Sequence, residues 1–168
     1  LLTPPSRRRP WELASQVATV DRLSNGRVTL SVGLGAIDSG FETFGEECDR
    51  RVRAELMDEC LDIVCGLWGG QPFSYDGTHY RVADSPGLPK PVQQPRPPII
   101  VGGVGTRRTP RLAATYADEF NVPFMPLDGF RPACQRVHAA CHAARRDPAS
   151  LTKLMTALVF LEQKPALD

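Results

Sequence analysis

The sequence predicts an α/β fold in which helices cover a parallel β-sheet. Short segments in which apolar and polar residues alternate, as in strands, are followed along the chain by segments whose apolar residues recur at helical spacing. This order is typical of βαβ units. The apolar run of residues 99–101 is bounded by Pro98 and Gly102, which indicates a strand that is covered on both faces. A glycine turn then leads from this strand directly into a helical pattern, as in a parallel βα unit.

The chain opens with a predicted helix and a predicted strand. Over Pro10–Leu23, apolar residues recur at helical spacing, a proline stands in the first turn and an Asn-Gly pair ends the pattern. Over Arg27–Gly33, apolar residues alternate with small ones, as in a strand. Thr29, Ser31 and Gly33 should then face the interior of the fold, opposite the helices.

The later elements are predicted in the same way. Arg50–Trp68 is an amphipathic helix with an apolar stripe that starts at Val52 and ends before two glycines. The next helix should run to Tyr116, with the Thr109 hydroxyl as its cap and Pro110 in its first position. The remaining elements are a strand at Phe120–Val122, a helix at Leu127–Arg145 and a β-rich run at Lys153–Leu161. Because sequential parallel strands usually neighbour each other, the four strands should pair in chain order.

Two segments interrupt this alternation between residues 72 and 98. The aromatic-rich stretch from Pro72 to Val82 predicts a β-hairpin with Asp76-Gly77 as its turn. The stretch from Pro86 to Pro98 contains six of the 16 prolines, so it should cross the fold in an extended form. We interpret residues 1–168 as a single domain that carries this insertion.

The turn Gly102-Gly103-Val104-Gly105 predicts a phosphate-binding site. Glycines before a helix let backbone N–H groups approach an anion, and the helix dipole favours negative charge there. Arg107 and Arg108 add positive charge nearby. The dinucleotide fingerprint is absent because Arg108 replaces its third glycine, and no Gly-Lys-Ser/Thr of a Walker loop follows. The alternative is a turn whose glycines serve only tight packing between strand and helix.

Composition argues against several classes of protein. Twenty Lys and Arg oppose 19 Asp and Glu, and this net charge of +1 argues against a nucleic-acid surface. The sequence contains no signal-peptide pattern and no long apolar span, so we expect a cytoplasmic protein without membrane insertion. The five cysteines should then be reduced thiols. Cys134, His138, Cys141 and His142 share one predicted helix, where core packing is favoured over metal binding, so no metal site is predicted.

Ordered blocks spread along the chain resemble the luciferase-like monooxygenases. They include Arg7-Arg8-Arg9-Pro10-Trp11, Leu23-Ser24-Asn25-Gly26-Arg27, Phe44-Gly45-Glu46, Gly77-Thr78-His79-Tyr80, Pro89-Lys90-Pro91-Val92-Gln93 and Ala117-Asp118-Glu119-Phe120-Asn121. The resemblance implies a (β/α)8 TIM barrel and a flavin- or deazaflavin-dependent oxidoreductase or monooxygenase. The run from Arg108 to Ala114 is closer to the branch that depends on coenzyme F-420, so the implied cofactor is F-420 or FMN.

The resemblance also implies that the barrel is incomplete. A (β/α)8 barrel typically needs about 250 residues, whereas this chain has 168. The matching blocks correspond to about strands 4 to 7, with the end of strand 3 at Leu1-Leu2-Thr3. A chain that begins with Leu1 rather than Met favours a fragment. Because a partial parallel sheet leaves two open edges, we expect a homo-oligomer or completion of the barrel by missing segments.

Site residues are implied by the same resemblance. Thr3 should contact the cofactor, and backbone N–H groups should bind its phosphate at Gly102, Gly103, Val104 and Gly105. Some deazaflavin relatives carry a catalytic Glu where this chain has Ala36, so no catalytic residue is assigned. The implied partner is a small-molecule substrate. Two alternatives remain open: a non-enzymatic remnant of the fold, and another barrel enzyme whose glycine turn binds a substrate phosphate.

Overall fold

The computed structural model describes residues 2–87, 89–124 and 126–156 of the chain. In this part of the chain, helices and strands follow each other in the predicted order. They are α1 (Pro10–Leu23), β1 (Leu30–Val32), α2 (Arg50–Trp68), β2 (Phe73–Asp76), β3 (Arg81–Ser85), β4 (Ile99–Gly102), α3 (Arg108–Tyr116), β5 (Glu119–Pro123), α4 (Leu127–Ala143) and β6 (Thr152–Thr156).

Four strands form a parallel sheet in the order β1-β4-β5-β6, which confirms the predicted order and direction. Thr3 extends this sheet on the far side of β1, where it forms a parallel bridge with Val32. The N–H of Thr3 donates to the carbonyl of Ser31 at 2.8 Å. The carboxyl ends of the strands therefore lie along one edge of the sheet, where the loops after β1, β4 and β5 meet.

One face of the sheet is buried beneath the helices. Its side chains come from alternate positions of β1, β4 and β5 and are at most 4% exposed: Leu30, Val32, Ile99, Val101, Phe120 and Val122. They share one core with apolar side chains of all four helices, among them Ala18, Ile63, Leu112 and Val137. Such burial stabilises the fold by about 25 cal/mol for each Å² of apolar surface removed from water.

None of the helices in the described residues has the length and hydropathy needed to cross a membrane.

The opposite face of the sheet is only partly covered. Ser31, Ile100 and Asn121 are half-buried on this face. Ser31 pairs with Ile100, and Asn121 lies two residues beyond Glu119, the partner of Ile100 on β5. Ser31 thus lies on the face that the alternation in the sequence predicted. In a closed barrel, this face lines the interior.

The insertion after α2 is an antiparallel hairpin, as predicted, but its turn is longer than Asp76-Gly77. Asp76 pairs with Arg81, so the connecting loop comprises residues 77–80. The Glu59 carboxylate on α2 accepts three backbone N–H groups of this loop at 2.8 to 3.2 Å. These hydrogen bonds stabilise the four-residue loop, because a two-residue turn would present fewer backbone N–H groups to α2.

The proline-rich segment crosses the fold without a helix or strand in its described residues, as predicted. The carboxylate of Asp21, which is fully buried on α1, fixes this segment. It accepts the N–H groups of Val92 and Gln93 at 2.8 and 3.0 Å and the side-chain amide of Gln93 at 2.7 Å. These three hydrogen bonds satisfy the buried Asp21 carboxylate on α1 and the polar groups of Val92 and Gln93 in the proline-rich segment.

Several element boundaries differ from the prediction. β1 begins at Leu30 rather than Arg27, because only Leu30–Val32 pairs with β4. The last helix ends at Ala143, shortly before Arg145 takes a left-handed φ of 55°. β6 confirms a strand in the last predicted run as far as Thr156, and residues 157–161 of that run lie outside the described residues.

Candidate functional site

A cavity of about 560 Å³ lies at the carboxyl ends of the strands, where (β/α)8 barrels place their active sites. Its walls come from the loops after β1, β4 and β5 and from the first turns of α2 and α3. Gly102, Gly103, Val104 and Gly105 all line it. The fold therefore brings the predicted phosphate turn to a cavity that also contains arginines from two helices.

The backbone of the turn explains two of its glycines. Gly103 has a φ of 153°, which residues with a Cβ rarely adopt, and its N–H donates to the carbonyl of Asn121 at 3.1 Å. A Cβ on Gly105 would lie 2.5 Å from the Thr109 hydroxyl oxygen. Within the described residues, the N–H groups of residues 104–106 have no hydrogen-bond partner. These three N–H groups, rather than that of Gly103, are the available donors of the turn.

The start of α3 differs from the prediction, because Thr109 is not its cap. The helix begins one residue earlier, and its N-cap is Arg107, whose side chain makes no capping hydrogen bond. The Thr109 hydroxyl falls inside the first turn and lies against Gly105. The first N–H groups of the helix therefore lack both a side-chain cap and an intrahelical partner. Together with the helix dipole, they favour an anion at this end of the cavity.

The most pronounced electrostatic feature of the cavity is Arg53 on α2. Arg53 is 5% exposed, and among the described residues it forms no ion pair. One terminal nitrogen donates to the Leu34 carbonyl at 3.3 Å, and the guanidinium packs on the ring of Phe41. Its Nε is buried without a hydrogen-bond partner in the described part of the chain. A buried cation without a counter-ion is unfavourable, so an anion in the cavity would stabilise it.

Two further arginines, Arg50 and Arg108, line the cavity, and Arg111 lies outside it. Arg108 Nε lies 3.4 Å from an oxygen of Asp58 on α2, and Arg111 Nη2 lies 2.5 Å from the same oxygen. Burial raises the pKa of Asp58 even though both guanidinium groups act in the opposite direction. Arg50 forms no ion pair among the described residues, and Arg107 is exposed outside the cavity. The balance of charge along the cavity wall is therefore positive.

The other residues considered in the sequence analysis, Thr3 and Ala36, differ in their position relative to the cavity. Thr3 is part of the sheet, and its neighbour Leu2 lines the cavity instead, so a contact between Thr3 and a cofactor stays a prediction from the resemblance. Ala36, the position for which the resemblance implied no catalytic residue in this chain, lines the wall. The lining residues that the structure describes include no Asp, Glu, His, Cys or Tyr. The described part of the wall thus offers arginines, backbone N–H groups and the hydroxyls of Thr106 and Thr109 as binding groups.

Sequence reasoning missed Arg53 because the apolar stripe of α2 was predicted to begin at Val52. The structure leaves Val52 half-buried and turns Arg53, Ala54 and Met57 inward instead. Arg53 therefore occupies a core-facing position one turn after the start of the helix. A charged residue in register with an apolar stripe is the signal that could have identified it.

The described residues contain no group of three or more His, Cys, Asp or Glu side chains arranged to hold a metal ion. On α4, Cys141 is buried in the core and Cys134 is half-buried. His138 and His142 are exposed. The four residues thus divide between the core side of this helix and its solvent side.

Residues 2–166 match the luciferase-like monooxygenases, and the chain belongs to this family. An FMNH2-dependent dimethylsulfone monooxygenase from Pseudomonas putida is 30% identical over 140 residues, which are 80% of this chain and 38% of the relative. An uncharacterized protein from Mycobacterium tuberculosis is 35% identical over 114 residues, 68% of this chain and 39% of the relative. The chain thus spans about two fifths of the length of these relatives.

Solved structures show the same fold. An F420-dependent secondary alcohol dehydrogenase superposes with a TM-score of 0.81 at 22% identity, over 92% of this chain and 47% of that protein. The monooxygenase RslO1 from Streptomyces bottropensis gives a TM-score of 0.77 at 25% identity, over 92% and 46% of the two chains. Together with the parallel strand order, these structures confirm an α/β fold that forms part of a luciferase-like TIM barrel.

Proposed function

We propose that this chain is part of a flavin- or F-420-dependent oxidoreductase and that its cavity binds the cofactor phosphate. The observation that carries the proposal is the buried guanidinium of Arg53, which has no counter-ion in the described residues and shares the cavity with the glycine turn. Two of the similar proteins are an FMNH2-dependent monooxygenase and an F420-dependent dehydrogenase. A phosphate-bearing flavin or deazaflavin is therefore the ligand class that we assign.

The donors around the cavity fit a phosphate group. The free N–H groups of residues 104–106 and the uncapped start of α3 offer hydrogen bonds to phosphate oxygens. Arg53, Arg50 and Arg108 supply positive charge, and within the described residues only Arg108 is shared with a carboxylate. Hydrogen bonds to a charged group contribute about 1.5–3 kcal/mol each, so a few of them account for micromolar binding.

The residues of this chain would hold and orient the cofactor rather than react themselves. When bound, a flavin or deazaflavin supplies hydride-transfer chemistry at its ring, and the protein supplies orientation and electrostatics. Arg53 and the glycine turn would hold the phosphate end, while Ala54, Met57 and Leu112 exclude water from the wall between them. Among the described residues, the cavity lining contains no Asp or Glu, which supports this division of roles.

We also propose a small-molecule substrate and a barrel that further segments or a second copy complete. The sheet face opposite the helices is only half-buried at Ser31, Ile100 and Asn121, which supports such completion. In a closed barrel, this face packs against side chains of the other strands. Light scattering on the eluting protein measures the assembly, and a monodisperse, cooperatively folding monomer would contradict this part of the proposal.

Titration of the completed barrel with FMN and with F-420, followed by cofactor fluorescence, tests the cofactor assignment. Arg53→Gln removes the buried charge and keeps a polar side chain, so the Kd should rise roughly tenfold or more. Arg51→Gln is the matched control. Arg51 lies two positions away on the same helix, is exposed and pairs with Glu55 at 2.9 Å. Its substitution should change the Kd by no more than about twofold.

Two outcomes support the alternatives. A parent protein that binds inorganic pyrophosphate but neither cofactor indicates another barrel enzyme with a phosphate-bearing substrate. A folded protein that binds none of these ligands indicates a non-enzymatic remnant of the fold. Equal Kd values for the parent and Arg53→Gln would contradict the role given to Arg53.

A further inference from the structure

Phe124 lies at the mouth of the cavity in a position that core packing does not explain. Strand alternation in β5 buries Phe120 and Val122 beneath the helices, so residue 124 would be next on that buried face. Instead, Phe124 has a left-handed φ of 49°, its side chain is 63% exposed, and it lines the cavity. A backbone conformation that disfavours side chains and a large apolar ring in solvent coincide here, as they do at functional positions.

The cavity is polarised along the carboxyl edge of the sheet. Arg53 contacts the Leu34 carbonyl, which follows β1, whereas the glycine turn follows β4 and Phe124 follows β5. Neighbouring strands are about 4.8 Å apart, so the Arg53 wall and Phe124 are separated by two strand spacings, about 10 Å. Pro123, at the end of β5, makes the Phe124 end apolar as well. The charged side chain of Arg53 thus lies at one end of the cavity, and the ring of Phe124 lies at the other.

We infer that Phe124 stacks against the planar ring of the cofactor whose phosphate lies at Arg53 and the glycine turn. This inference rests on the proposed function. A ligand with an anionic phosphate at one end and a flat ring at the other matches the charge and the apolar surface of this cavity. Stacking removes the exposed face of Phe124 from water, and aromatic rings prefer offset contact with another π-system. FMN and F-420 share this chemistry.

Phe124→Ala tests the contact directly. The Kd for FMN and for F-420 should rise roughly threefold to tenfold, because one aromatic contact is lost. Binding of inorganic phosphate, measured by calorimetry, should be unchanged because the phosphate end is intact. Phe44→Ala is the matched control. Phe44 is 75% exposed in the loop after β1 but does not line the cavity, so its loss should change neither Kd.

Two further variants separate contact from folding. In Phe124→Trp, an indole against the flavin ring should quench the fluorescence of bound FMN more strongly than the phenyl ring of the parent does. In Phe124→Gly, the melting temperature should rise, because glycine adopts a left-handed φ without strain, while the Kd rises as in Phe124→Ala. A purely structural role of Phe124 predicts neither the added quenching nor this opposite movement of stability and affinity.

The outcomes distinguish the inference from the proposed function. If the parent binds neither cofactor, the proposed function fails and the inference fails with it. If the parent binds a cofactor and Phe124→Ala binds it equally well, only the role of Phe124 is overturned. A higher Kd in Phe124→Ala together with added quenching in Phe124→Trp supports the inference.

Discussion

The guanidinium of Arg53 lies 4.5 Å from the ring centroid of Phe41, a fully buried side chain in the loop after β1. The guanidinium of Arg7 also lies over this ring, 4.0 Å from its centroid. Arg7 forms an ion pair with Glu46, with 2.5 Å between Arg7 Nε and Glu46 Oε2. Cation–π contacts offset part of the unfavourable burial of Arg53. Phe41 therefore connects the charge in the cavity to the ion pair that holds the end of this loop.

We expect Phe41→Leu to lower the free energy of unfolding by about 1–3 kcal/mol, because ring volume and two guanidinium contacts are lost. The Kd for the cofactor should rise less than in Arg53→Gln, since the charge of Arg53 remains. Urea denaturation and the fluorescence titration measure the two effects. Phe44→Leu, in the exposed part of the same loop, should stay within about 0.5 kcal/mol of the parent. A Phe41→Leu protein as stable as the parent would rule out this role of the ring.

Gly103→Val should weaken cofactor binding about tenfold or more, because a branched residue at a φ of 153° forces the turn out of its observed path. The displaced turn would carry the N–H groups of residues 104–106 away from the anion. Gly45→Val is a control for strain alone. Gly45 also has a positive φ, of 65°, but has open space around it and lies outside the cavity. If Gly103→Val folds and binds as the parent does, the glycine turn is only a packing device.

Asp58→Asn should tighten cofactor binding by roughly twofold to fivefold, because Arg108 then acts on the cavity without a competing carboxylate. Burial raises the pKa of Asp58 above its usual value of 3.8, so the folded state holds the proton more tightly than the unfolded chain. The charge of Asp58 at pH 7 therefore opposes folding, and Asp58→Asn should not lower the melting temperature. Asp62→Asn is the control for affinity, because Asp62 lies one turn further along α2 and its carboxylate accepts the hydroxyl groups of Tyr75 and Tyr116. A weaker affinity in Asp58→Asn would show that Asp58 positions Arg108 instead.

Asp21 should make stability depend on pH in acid. Burial opposes its ionisation, yet hydrogen bonds from Gln93 and Val92 lower its pKa below the usual 3.8. Ionised Asp21 thus stabilises the fold above that value, and this contribution is lost as the pH falls through the lowered pKa. Asp21→Asn should cost roughly 1.5–3 kcal/mol at pH 7 and less as the pH falls below about 4. Urea denaturation across this range measures the difference, with the exposed Asp38→Asn as control; a constant difference would contradict the prediction.

Where a proline or glycine marks the end of a helix, the boundary could be predicted from the sequence to within one residue. α1 begins at Pro10, and α2 ends at Trp68 before two glycines, because these residues restrict the backbone wherever they occur. The parallel order of the strands followed from their alternation with helices. The glycine turn was recognisable for the same local reason, since it joins a strand to a helix directly.

Features that depend on distant contacts could not be predicted in this way. The loop of the hairpin is longer than its Asp-Gly pair suggests because Glu59, on another element, accepts its N–H groups. The burial of Arg53 depends on Leu34 and Phe41, which the loop after β1 brings to α2. Phe124 departs from the alternation of β5 where its backbone turns left-handed, a conformation that a phenylalanine in the sequence does not indicate. Apart from the position of Arg53 in the apolar stripe of α2, no periodicity in the sequence indicates these contacts.

The loop after β1 has one fully buried residue, Phe41, between exposed residues 36–39 and 42–45. Exchange of the exposed positions would leave the aromatic anchor and its guanidinium contacts unchanged. Ala36, at the start of the first exposed stretch, borders the cavity. A combinatorial library confined to these positions would therefore vary the border of the cavity while the sheet and its core keep their sequence.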